Sequence, residues 1–103
     1  MIEISKQFDK GGFHFTLIKR FKQYCIYQKT MNTEQGVINH FEVHIIRIRP
    51  KRFIKRSVLE TGERLACNEE FGTWAWDYPT LELAEQQFQK LNHKHHDPIV
   101  LHL

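Results

Sequence analysis

Thr73-Trp-Ala-Trp-Asp-Tyr-Pro-Thr-Leu-Glu-Leu-Ala-Glu-Gln-Gln-Phe-Gln-Lys-Leu91 changes its hydrophobic period part-way along, and that change decides the fold. Up to Tyr78 the residues alternate, with Trp74, Trp76 and Tyr78 on one side and Thr73, Ala75 and Asp77 on the other, which is the period of a strand. After Pro79 the spacing becomes helical. Leu81, Ala84, Phe88 and Leu91 fall on one stripe, while Glu82, Glu85, Gln86, Gln89 and Lys90 face water. Thr80 is suited to cap the helix, and Glu82 sits at the positive end of its dipole. A helix that follows a strand at once packs its stripe on that strand. Trp74, Trp76 and Tyr78 are therefore expected in a core rather than on a stacking platform.

Upstream, Phe13 to Lys19 alternates with Phe13, Phe15 and Leu17 on one face, and Tyr24 to Lys29 is rich in strand formers. The two predict an antiparallel hairpin. A turn over Asn32 to Gly36, with Gly36 free to take positive φ, leads into a third strand from Val37 to Arg49. In that strand Phe41, Val43 and Ile45 share one parity, and Ile46 and Ile48 take the other. A bulge near Ile45–Ile46 would reconcile them; so would a distal end that leaves the core. Pro50 is expected to end the pairing. Residues 51–70 read either as a ribbon turning at Glu60-Thr-Gly-Glu63 or as a mobile loop. Taken in order, the elements predict an α+β fold: a four-stranded antiparallel sheet with one C-terminal helix packed across a face. Residues 1–103 form a single domain in this reading, and 93–103 are a tail in which Ile99 to Leu103 either adds a short strand or packs.

Thirteen aromatics and a hydrophobic content of 41% supply a core from a chain of 103 residues and argue against disorder. Lys6, Asp9 and Lys10 interrupt any secretory apolar region near Met1, and the apolar runs are too short to span a bilayer. Cys25 and Cys67 form no CxxC pair and are expected as free thiols in a reducing compartment. A cytoplasmic protein with no membrane partner is the expectation.

Glu69, Phe71, Gly72, Ala75, Trp76 and Tyr78, followed by Ala84, Phe88 and Leu91, resemble the ends of small phage, plasmid and bacterial proteins. Those proteins share an E-x-F-G-x-x-A-W-x-Y strand followed by an A-x-x-x-F-x-x-L helix. The resemblance covers about a quarter of the chain closely and the preceding strands in layout; it implies fold and context, and carries over no catalytic residue. A looser likeness to WGR domains lacks their Trp-Gly-Arg tripeptide, since this chain has Phe71-Gly-Thr and Trp74-Ala-Trp.

Charge supplies the main functional signal. Residues 1–56 carry twelve Lys/Arg against four Asp/Glu, and residues 57–103 carry three against eight, so +8 is followed by −5. Six of the ten residues from Arg47 to Arg56 are cationic. Arg47, Arg49, Lys51, Arg52, Lys55 and Arg56 would neutralise phosphates, and Phe53 among them would stack on an unpaired base. The alternative is a solvated loop paired with Glu60, Glu63, Glu69 and Glu70. A second expectation is a protein–protein module, as a homodimer or an inhibitor, using an uncovered apolar face of Ile18, Tyr27, Ile46 and Ile48.

Catalytic signals are sparse. His93, His95, His96 and Asp97 suggest metal affinity, but no CxxC or HExxH accompanies them, so neither a metal nor a cofactor is expected. His40 and His44 stand four strand residues apart, about 13 Å, too far to share an ion. His44 beside Glu42 on one sheet face offers an acid–base pair. Cys25, Cys67, Ser5 and Ser57 sit in no nucleophile motif, and no phosphate-binding glycine loop is present. The sequence therefore predicts a small non-enzymatic binding module.

Overall fold

The computed structural model of this protein describes residues 1–93 and 99–100. Its main sheet has five antiparallel strands rather than four: β1 (Gln7–Lys10), β2 (Phe13–Phe21), β3 (Tyr24–Thr33), β4 (Gly36–Ile45) and β9 (Ala75–Tyr78), in spatial order β1-β2-β3-β4-β9. The extra strand is β1, which pairs Gln7–Lys10 with Phe13–Thr16. Between these strands lie β5 (Arg47–Arg49), β6 (Arg52–Ile54), β7 (Ser57–Leu59) and β8 (Gly62–Arg64).

The helix α1 (Leu81–Asn92) starts at Thr80, whose Oγ1 accepts the Leu83 N–H at 3.3 Å. It lays Ala84, Phe88 and Leu91 on Tyr24, Ile26, Phe41, Val43 and Ile45 of the sheet, with Trp74, Trp76 and Tyr78 packed at the border. Leu81, placed on the same stripe by spacing, lies on the first turn beyond the sheet and is exposed.

The opposite face of the sheet is covered as well. Phe15, Cys25, Tyr27 and Ile46 are buried there beneath Ile4, Phe8 and Leu65. Phe8 stacks on Phe15 at 4.7 Å, and the Tyr27 hydroxyl donates to the Ser5 carbonyl. The N-terminal arm is tied down by Ile2 N–H to Thr61 carbonyl at 3.0 Å and Glu63 N–H to Ile2 carbonyl at 2.7 Å. Gly62 permits this approach, since a Cβ there would stand 3.3 Å from the Ile2 Cβ. The apolar interface expected from Ile18, Tyr27, Ile46 and Ile48 is corrected by this cover. Tyr27 and Ile46 are core residues, Ile48 is half-buried, and only Ile18 is exposed.

The parity conflict in the third strand resolves without a bulge. β4 keeps continuous register with β3 and β9, and the register shift falls instead in β2, between Leu17 and Lys19. Ile45 belongs to the helix-side core and Ile46 to the other, so each parity has its own cover. Beyond Ile46 the chain enters a second small sheet, in which β5 pairs antiparallel with β8 and parallel with β10 (Ile99–Val100). Of the expected tail, His95, His96, Asp97 and residues 101–103 lie outside the described residues. No described helix is long and apolar enough to cross a membrane.

Candidate functional site

Residues 50–61 carry the ribbon expected as one option, but it turns earlier than glycine placement suggested. β5 and β8 form a short neck, with Arg49 opposite Gly62, and β6 and β7 continue from it as an isolated two-stranded hairpin. The turn is Lys55-Arg56, with Lys55 at φ 52, and the Ser57 hydroxyl donates to the Ile54 carbonyl at 3.1 Å. Glu60 to Glu63 is instead the return into the neck.

Every strand residue of the hairpin except Leu59 is exposed. Phe53 is 76% exposed and pairs across the ribbon with Val58, itself 44% exposed. Between 51 and 59 there are four cations and no carboxylate. Arg52, Lys55 and Arg56 make no ion pair among the described residues, and Lys51 approaches Glu60 only at 3.9 Å, with both side chains more than half exposed. A contact of that kind contributes little and leaves Lys51 free to exchange partners.

Two of the expected phosphate-binding residues are corrected by their surroundings. Arg47 is 3% exposed; its guanidinium pairs with Glu70 and lies 4.7 Å over the Trp74 ring. It is a structural cation, closed over by residues far along the chain. Arg49 is half-buried at the neck and donates to the Glu60 carbonyl at 3.0 Å. Lys51, Arg52, Phe53, Lys55 and Arg56 remain together on the hairpin.

No protein family, curated protein or solved structure matches this chain.

The Arg47–Glu70 contact has a pH consequence. The guanidinium, together with the Cys67 N–H at 3.0 Å from Glu70 Oε1, lowers the Glu70 carboxyl to about 2. Arg20 lowers Glu63 in the same direction. Because each folded-state value lies below the unfolded one, both contributions are complete above the ordinary carboxylate range and are lost as pH falls, that of Glu70 towards about 2. Glu70→Gln is expected to remove on the order of 1 kcal/mol at neutral pH, allowing for solvent screening, and to flatten the fall in Tm on acidification. Calorimetric melting of both proteins across the acid range checks this.

The other sequence candidates sit on the sheet face opposite the helix. His44 and Glu42 do form a pair, at 2.9 Å between Nε2 and Oε1, but both are buried rather than surface residues. The Ala66 N–H donates to His44 Nδ1 at 3.3 Å, so Nε2 carries the ring proton and donates it to Glu42. Both ring nitrogens are thereby occupied. Glu42 Oε2 meets Lys29 Nζ at 3.2 Å; Lys29 also reaches Asp77 at 3.3 Å, and Asp77 in turn binds His40 at 2.8 Å. The alternation of Glu42 and His44 marked their common face; the cover that buries them was not legible locally.

His93 is exposed at the end of α1. Among the described residues no three His, Cys, Asp or Glu side chains group as metal ligands. Cys25 is buried, which pushes its thiol up to about 12, and the Glu70 and Glu69 carboxylates raise that of Cys67. Neither has the lowered value of a nucleophilic thiol.

Proposed function

We propose that this protein is a small non-enzymatic module that binds nucleic acid through the hairpin β6–β7. The observation that carries this reading is a projecting two-stranded ribbon whose Arg52, Lys55 and Arg56 have no carboxylate partner among the described residues, with Phe53 exposed between them. Elsewhere many cations are balanced: Arg20 by Glu63, Lys29 by Glu42 and Asp77, and Arg47 by Glu70. On the hairpin, three cations without an ion pair among the described residues stand within five residues, from Arg52 to Arg56.

In this mechanism the guanidinium and ammonium groups replace counterions on successive phosphates, which gives affinity without base preference. Phe53 supplies a ring face for an unpaired base, so single strands are favoured over duplex. The sheet and helix hold the ribbon's neck and take no part in contact. A reducing compartment suits the two free thiols.

A protein partner is the second reading, favoured by the exposure of Phe53, Ile54 and Val58 on the same ribbon. Fluorescence anisotropy with labelled oligothymidylate and a duplex of equal length separates the two. Binding to the single strand is expected, with log K falling against log salt at a slope of about −2 to −3, the value for three or four phosphates. Absence of binding at low salt, or indifference to salt, would remove nucleic acid and leave the protein partner.

A further inference from the structure

A cleft of about 480 Å³ opens on the sheet face away from the helix, between the β1–β2 turn and the segment Arg64–Phe71. Its volume falls within the range of small-molecule sites. Phe8, Phe13, Phe15 and Phe71 supply aromatic walls, and Glu42 and His44 lie at its buried base.

The charges decide what kind of molecule fits. Lys10, Lys29 and Arg64 line the cleft against a single carboxylate, that of Glu42. Glu42 is already engaged on both oxygens, by His44 Nε2 and by Lys29. An incoming cation would find the aromatic position taken, because Lys29 Nζ stands 4.4 Å over the Phe13 ring and 5.9 Å from that of Phe15. Two carboxylates hold Lys29, leaving one of its three ammonium protons for a further acceptor. Lys10 is exposed at the rim, and Arg64 reaches Glu70 only at 3.9 Å.

We infer that this cleft binds a planar aromatic anion, with its ring among the phenylalanines and its acidic group on Lys29, Lys10 and Arg64. The site is separate from the hairpin and does not depend on it. A carboxylate and a phosphate ester meet the same requirement, and the probes distinguish them.

The test is a set of amide-resolved NMR titrations with 2-naphthoate, adenosine 5′-monophosphate, neutral 2-naphthalenemethanol and 2-naphthylmethylammonium. At least one of the two anions should shift the amides of Lys29, Leu65 to Asn68 and Phe71. The neutral and cationic compounds should bind at least about tenfold more weakly. A Lys10→Gln/Arg64→Gln double variant, which touches only rim side chains, should lose about fivefold or more of the anion affinity while keeping the wild-type spectrum. No binding by either anion, equal binding by the neutral compound, tighter binding by the cation, or an unaffected double variant would overturn the inference. Shifts confined to residues 52–58 would also overturn it, since they would locate the nucleotide on the ribbon instead.

Discussion

Exchanging Arg52, Lys55 and Arg56 together for glutamate is expected to weaken oligonucleotide binding by on the order of a hundredfold or more in about 0.1 M salt. Each phosphate contact releases a counterion whose dilution contributes about 1 kcal/mol at that concentration, and reversal adds repulsion to the loss. Stability should hardly change, because the three side chains are exposed and make no ion pair among the described residues. Arg47→Met should behave in the opposite way. Arg47 is closed between Glu70 and Trp74, so its loss leaves Glu70 with only the longer 3.9 Å contact to Arg64 and lowers Tm, with affinity unchanged for the folded fraction. Anisotropy and calorimetry on the two variants separate the binding cations from the structural one.

Phe88→Ala is expected to destabilise the protein by about 3–5 kcal/mol. Phe88 is 1% exposed at the centre of the helix-side core, and Lys19 lies 4.9 Å over its ring. Removing the ring leaves a cavity between α1 and the sheet that Ala84 and Leu91, fixed on the same helix, cannot fill. For a domain of 103 residues, whose whole stability is on the order of 5–15 kcal/mol, that is about a fifth of the total or more. Urea unfolding should show a lower midpoint with an unchanged slope. Leu81→Ala, on the exposed first turn, should cost well under about 1 kcal/mol.

That contrast shows which parts of the fold local signals can reach. The cap at Thr80 and the spacing of Ala84, Phe88 and Leu91 are properties of neighbouring residues, and α1 lies where they put it. Strand β1 has no such signature. Phe8 is its one apolar residue, and what makes Gln7–Lys10 a strand is Phe15 and Tyr27 waiting beneath that ring. Once β1 and the arm before it are in place, Tyr27 and Ile46 are covered and cannot serve a partner.

The hairpin was half legible. Phe53, Ile54 and Val58 are strand formers, but the turn uses Lys55 in left-handed backbone where glycine or asparagine is the usual signal. Gly62, the glycine of the expected turn, instead admits the Ile2 backbone by its small size. Charge density was equally blind to distance. Nothing near Arg47 shows that Glu70 and Trp74 close over it, whereas Arg52, Lys55 and Arg56 have no ion-pair partner among the described residues, since no carboxylate faces them across the ribbon. Glu42 and His44 follow the same rule: strand alternation put them on one face, and the Ala66 amide, a tertiary neighbour, fixed the proton between them.

The most direct measurement is an ¹⁵N-resolved NMR titration of the wild-type protein with oligothymidylate at low and raised salt. Binding through the ribbon predicts saturable shifts centred on Arg52 to Val58, fading as salt rises, with the amides of α1 and of β3 and β4 in place. Shifts that avoid the ribbon, or a spectrum that does not respond at low salt, would contradict it.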